Sequence, residues 1–378
     1  MISCEELFNV FNKKGLTFFS GVPDSTFKDW MKFLSRHHGE KLTNIIACNE
    51  CEAIALVSGY YLATQKIGVV YMQNSGEGKA VNPLTSLCDP DVYSIPLIMM
   101  IGWRGEPGKK DEPQHKKMGR IMIPLLETLE VPYEIMPDEI DKAEKVIANM
   151  VNISQDRKTP VALIIKRNTF EKYDLENMDV SGSEKEYSMD REDAIKVIVD
   201  NLNGDEIIVS TTGKTSRELF EYRVQRCEEP KDFFTVGSMG CATSIANGIA
   251  LSKQHKKVVI FDGDGAVLMQ MGALATVGYY NAKNLYHIIF DNNSYDSTGG
   301  QPTTANRVDF EKIAIGCGYQ SAVTVKTKAE LINEANNLKN CDGPHMIIVK
   351  VKKGSRKNLG RPTKTPIENK EEFMRRLS

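Results

Sequence analysis

Short β-rich runs alternate with helix-length amphipathic stretches along the whole of this 378-residue chain. That alternation constrains the fold most, because it is the pattern of parallel-sheet α/β architecture. In the first half it predicts strands over Asn44–Ala47, Ile67–Gln73, Ser94–Gly102 and Pro160–Lys166. In the second half it predicts strands over Glu206–Ser210, Phe233–Val236, Lys257–Phe261, Leu285–Phe290 and His345–Val351. Between the halves, Glu171 to Met189 is polar and rich in Ser, Gly, Asp and Glu, which reads as a linker. The length exceeds what one hydrophobic core usually serves. The expectation is therefore a first domain at 1–168, a linker at 169–188 and a second domain at 189–378, with no internal repeat or low-complexity tract.

Charge and composition remove several functional classes. The formal net charge is -2 and no run of Lys and Arg tracks a helix, so a nucleic-acid partner is not expected. The first residues lead into an amphipathic helix without a basic and then apolar leader, and no apolar run approaches the roughly 20 residues that span a bilayer. A cytoplasmic protein without membrane contact is the expectation. The eight cysteines are scattered, which argues for reduced thiols. Cys48 and Cys51 form a C-x-x-C, but no second pair stands at zinc-ribbon spacing, and packing at a strand-to-helix turn accounts for them.

The most specific chemistry lies in the second half. The apolar run Val258–Phe261 enters the turn Gly263-Asp264-Gly265, a helix-length segment Ala266–Tyr280 follows, and the next strand ends in Asn292-Asn293-Ser294-Tyr295. Ligands of parallel sheets bind at strand C-termini, and strands joined by one helix lie side by side. Asp264 and Asn292, 28 positions apart, can therefore meet at an oxygen-lined site suited to magnesium carrying phosphate oxygens. Two unrelated polar turns would explain a lone Gly-Asp-Gly, but not its pairing with Asn292 at the next strand end. Upstream, Gly237-Ser238-Met239-Gly240 precedes a helix, where diphosphate could be held.

This paired signature resembles that of the thiamine diphosphate-dependent decarboxylases. The resemblance covers essentially the whole chain and implies two three-layer domains of the thiamine diphosphate-binding fold, without the middle domain of longer members. It implies thiamine diphosphate and magnesium as cofactors, with Asp264, Asn292 and the Ser294 carbonyl as metal ligands; Asn293 stands beside Asn292 as the alternative. Gly237, Ser238, Gly263, Gly265, Thr212 and Gly213 fall in matching cofactor-binding segments, and Met239 stands where an apolar residue wedges under the cofactor. A Met in an α/β core is usually filler. In the first half, Glu50 opens a small-residue helix ending in Gly59-Tyr60, the family's position for a carboxyl against the aminopyrimidine ring. The helix macrodipole alone would favour an acid there, but not that surrounding pattern.

Three further segments resemble the phosphonopyruvate decarboxylases of that family: Gly21–Ser25, Met72–Leu84 and Ile101–His115. The first places Ser25, with Asp24 beside it, toward substrate. In the second, Glu77 and Lys79 replace an apolar residue and Asn, and Lys79 reads as a surface change. Phosphonopyruvate carries close to three negative charges, so cations should face it. Arg104, after an apolar strand, and Arg361, in a Gly-Arg-Pro turn, are the candidates; Lys109, Lys110, His115, Lys116, Lys117, Arg356 and Lys357 read mainly as solvated. The expected reaction is non-oxidative decarboxylation to phosphonoacetaldehyde, by at least a homodimer, with sulfopyruvate as the rival substrate.

Other classes fare worse. Thr212-Gly213-Lys214-Thr215 and Gly78-Lys79 imitate the end of a P-loop, but Ile208 and Gln73 occupy the required first glycine. Gly263 and Gly265 are followed by Leu268 where a dinucleotide fingerprint needs a third glycine. A non-catalytic interaction subunit of the same fold would have no use for Glu50, Asp264 and Asn292 together.

Overall fold

The computed structural model describes residues 1–173, 187–228 and 231–377. The chain divides into two units, Met1–Asp179 and Val180–Ser378. In the first, strands β1 (Phe18–Gly21), β2 (Thr43–Ile46), β3 (Val69–Gln73), β4 (Leu97–Gly102), β5 (Tyr133–Ile135) and β6 (Pro160–Ile165) form one sheet in the order β2-β1-β3-β4-β6-β5. Every pairing is parallel. Period-two alternation sends Val69, Tyr71, Ile98 and Met100 into one core layer and Val70, Met72, Leu97, Met99 and Ile101 into the other. Both faces are thus dry, giving the three expected layers. Trp30, fully buried, stacks on Phe33 with ring centroids 5.3 Å apart and anchors the first layer.

The second unit repeats the plan with β7 (Ile207–Ser210), β8 (Phe233–Phe234), β9 (Val258–Gly263), β10 (Leu285–Asp291), β11 (Ser294–Tyr295), β12 (Gln301–Pro302), β13 (Ser321–Val325) and β14 (His345–Lys350). Its sheet runs β13-β14-β10-β9-β7-β8, all parallel, while β11 and β12 form a small antiparallel pair beyond β10. Among the described residues no helix is long and apolar enough to cross a membrane.

Most of the segment 169–188 lies outside the described residues. Its first residues pack with the first unit: Ile2 donates to the Thr169 carbonyl at 2.8 Å, Glu171 donates to the Ile2 carbonyl at 2.9 Å, and buried Phe170 stacks near Trp30. One expectation is corrected by the packing. Ala266–Tyr280 is not one helix but the end of Asp264–Met269 followed by Gly272–Tyr280. Gln270 leaves helical geometry where its side chain covers Gly240, which is held at φ 87 and has no room for a Cβ.

Candidate active site

Because each six-stranded sheet is parallel, all its strand C-termini lie along one edge, and every candidate residue but Arg361 stands at or shortly after one of those ends. At the first sheet, Glu50 opens the helix Glu50–Thr64 just after β2. Asn49 caps that helix by accepting from the Glu52 N–H at 3.0 Å, and Glu52 accepts in return from the Cys48 N–H at 2.8 Å. The cap fixes where Glu50 points. Its carboxyl is buried, its Oε2 has no hydrogen-bond partner, and it lies against Gly76, where a Cβ would collide with it. Burial raises its pKa, with a backbone hydrogen bond and the Lys79 ammonium pulling the other way. Lys79 is thus half-buried and acts on Glu50, rather than being the surface change its sequence suggests.

Next along the same edge, Asp24 is wholly buried; its Oδ1 accepts from Gln73 Nε2 at 2.7 Å and its Oδ2 has no partner. Burial raises its pKa. Ser25 accepts a hydrogen bond from Arg104 Nη1 at 2.9 Å, so two residues chosen from separate segments do meet. The rest of Arg104 is already engaged, with Nε and Nη2 gripping Asp111 at 2.9 and 2.6 Å. His115, read as a solvated cation, is instead buried and pushed down to about 4, first by burial and then by the Arg104 charge. It is neutral at pH 7.

At the second sheet, the β9–β10 register sets Gly263 opposite Phe290, so Asp264 and Asn292 leave adjacent strands side by side as expected. Asp264 is buried, accepts from Thr303 Oγ1 at 2.5 Å, and is pushed up to about 7, first by burial and then by the nearby Asp291 carboxylate. Asp291 itself is ion-paired with Lys350. Asn292 Oδ1 accepts from the Ser294 N–H at 3.0 Å, while its Nδ2 donates to Asp296 at 2.8 Å, which fixes the amide orientation. Asp296 also meets Arg191, whose guanidinium is paired with buried Glu218 at 2.7 Å. Sequence reasoning missed this chain of supports, because Arg191 stands 105 residues before Asp296.

The remaining candidates, Arg361 apart, stand at strand ends of the same sheet. Gly213, at φ 101, opens the helix Lys214–Gln225, and the Gly237 N–H donates to Thr212 Oγ1 at 3.1 Å, joining two glycine turns. Gly237 and Ser238 both have positive φ, so their backbone takes a conformation open to close approach, and half-buried Met239 follows. Gly265 packs on the Tyr295 ring, where a Cβ would not fit, while Gly263 faces open space. Arg361 is exposed in the tail after β14. That tail is held by Arg217, which donates to the Gly360 carbonyl at 2.5 Å, and by Arg356, which pairs with Glu192 at 3.0 Å and with Glu221.

A buried carboxyl with a free oxygen suits a ring nitrogen that needs a proton-bearing partner. A carboxylate, an amide oxygen and a backbone carbonyl are the hard donors that magnesium takes. The residues of both edges therefore fit thiamine diphosphate and a divalent cation. Comparison with known proteins supports the thiamine diphosphate part of that fit. The family model described as "Thiamine pyrophosphate enzyme, N-terminal TPP binding domain" matches residues 4–122, and "Thiamine pyrophosphate enzyme, C-terminal TPP binding domain" matches 211–349. The chain is 33% identical to a phosphonopyruvate decarboxylase of Streptomyces viridochromogenes, over 97% of this chain and 93% of that one. It is 32% identical to that of Streptomyces hygroscopicus, over 97% and 92%. A sulfopyruvate decarboxylase of Methanosarcina acetivorans is 29% identical, over 89% and 87%.

Proposed function

This chain belongs to the thiamine pyrophosphate enzyme family, as a decarboxylase, and from that premise we propose that it converts phosphonopyruvate to phosphonoacetaldehyde and carbon dioxide. The observation that carries the substrate is the near full-length match to two phosphonopyruvate decarboxylases. When bound, thiamine diphosphate supplies a nucleophilic carbon and an electron sink for the pair that leaves the departing carboxylate.

The chain's own residues have separable tasks. Glu50, whose pKa burial raises, would hold a proton toward the pyrimidine ring, and Gly76 leaves room for that carboxyl. Asp264, Asn292 and the Ser294 carbonyl would hold magnesium. Gly237, Ser238, Thr212, Gly213, Gly263 and Gly265 would receive the diphosphate, with Met239 supporting the cofactor from below. Asp24, Ser25, Arg104 and Arg361 are the groups proposed to face substrate.

In the same reading, 1–168 is the ring-binding domain, 169–188 the linker and 189–378 the diphosphate-binding domain. Each carries half of the cofactor's contacts, and at least a homodimer completes the site, with one subunit's ring-binding half serving its partner. The exposed Leu62 on helix Glu50–Thr64 and Tyr279 and Tyr280 on helix Gly272–Tyr280 support self-association. The proposed setting is cytoplasmic phosphonate biosynthesis. A second reading, sulfopyruvate as substrate, is favoured only by the similarity to the Methanosarcina acetivorans enzyme.

The test is reconstitution. Protein stripped of cofactor and metal and given phosphonopyruvate should release phosphonoacetaldehyde only when thiamine diphosphate and magnesium are both restored. Release without either would contradict the assignment.

A further inference from the structure

The edge of the first sheet carries a charged cluster that neither Glu50 nor the cofactor explains. Asp111, its side chain only 3% exposed, accepts from Arg104 through Nε and Nη2, from Arg167 Nη2 at 2.6 Å, and from the Gly105 and Glu112 N–H groups at 2.8 Å each. Arg167 comes from the neighbouring strand end. Ile165 and Gly102 are partners in the β4–β6 register, and the Trp103 N–H donates to the Ile165 carbonyl at 2.8 Å, so the second residue beyond each strand emerges at the same place.

The charge balance decides what this cluster can do. Arg104 and Asp111 alone cancel, so a pair of them offers an anion little net attraction. With Arg167, two guanidinium groups stand against one carboxylate and a single positive charge remains. Neighbouring groups are engaged elsewhere: Glu106 is taken by Lys109 at 2.9 Å and Lys166 at 3.1 Å, Asp24 Oδ1 accepts from Gln73 Nε2 at 2.7 Å, and buried His115 is pushed down to about 4. Arg167 has Nη2 on Asp111 and Nη1 reaching the Lys110 carbonyl at 3.4 Å, and at 41% exposure its guanidinium still presents donors to solvent, while Arg104 Nη1 reaches Ser25.

We propose that Arg167, together with Arg104 held by Asp111, forms the seat for the second acidic group of the substrate, and that Arg167 sets the preference for a 2-oxo acid bearing a phosphonate or sulfonate over one bearing neither. Asp111 is a positioning residue: it orients Arg104 toward Ser25 and recruits Arg167. The proposal rests on the decarboxylase reading above.

The holoenzyme tests it through kcat/KM for phosphonopyruvate and for pyruvate in the wild type, Arg167→Ala and Arg167→Lys. Arg167→Ala should lower kcat/KM for phosphonopyruvate by about tenfold or more, the scale of one charge-assisted hydrogen bond, mainly through KM and well beyond the loss for pyruvate. Arg167→Lys should recover part of that loss, and added salt should raise the phosphonopyruvate KM more steeply in the wild type than in Arg167→Ala. Equal losses for both substrates, or unchanged discrimination, would overturn the inference while leaving the decarboxylase assignment intact. A wild-type enzyme that turns over pyruvate as well as phosphonopyruvate would instead overturn the substrate reading on which it rests.

Discussion

Glu50 and Glu77 are both buried carboxyls of the first unit, and their environments give them opposite expectations. Glu50 has a free oxygen facing a cradle left by Gly76, which suits the proposed contact with a ligand. Glu50→Gln should fold and retain cofactor yet lose most of its turnover, because an amide cannot pass the proton; near-wild-type exchange of the cofactor's C2 proton in that variant would make Glu50 structural. Glu77 has neither oxygen bonded, and burial alone pushes it up to about 8 from 4.5. The folded chain holds this proton more tightly than the unfolded chain does. Its stabilising share is therefore complete below pH 4.5, declines as pH rises and is gone above about 8. Glu77→Leu should remove that slope and raise stability at pH 8 by about 1–3 kcal/mol, measurable by urea unfolding at several pH values; an unchanged slope would show that Glu77 is hydrated. At the second edge, Asp264→Ala removes one of few hard donors, and magnesium-dependent cofactor affinity should collapse in a titration.

At the scale of elements, the turn Asn74–Gly76 sets the room available to the Glu50 carboxyl. Gly76→Ala should displace the Glu50 carboxyl and cut turnover while leaving the melting temperature nearly unaltered; undiminished turnover would show that the carboxyl has other room. Elements with long apolar runs, such as β4 and β10, were legible because both faces are buried and the run itself is the signal. β1 is four residues between turns, β5 is three residues with two exposed, and β13 is only half-buried, so none carries such a run. Asp264 and Asn292 were legible because chemistry and strand spacing coincide in them. The Asp111 cluster and the Arg191–Asp296 support were not, since they depend on side chains brought together from distant loops. The Arg191–Glu218 pair can be tested apart from activity: Arg191→Met leaves a buried carboxylate unpaired and should cost about 3–5 kcal/mol of unfolding free energy.

At the scale of the whole molecule, each unit carries its own core, and the residues proposed for the ring side and the metal side are divided between them. If a partner subunit completes the site, assembly and activity must fall together. A Leu62→Glu, Tyr279→Glu variant should sediment as a smaller species and lose turnover; full activity in a monomer would separate the two. The substrate claim is tested most directly by comparing kcat/KM for phosphonopyruvate and sulfopyruvate on one preparation with saturating thiamine diphosphate and magnesium, following carbon dioxide release. The account expects phosphonopyruvate to be preferred by about tenfold or more, as an added charge held by guanidinium groups would give, whereas equal values or a preference for sulfopyruvate would contradict it.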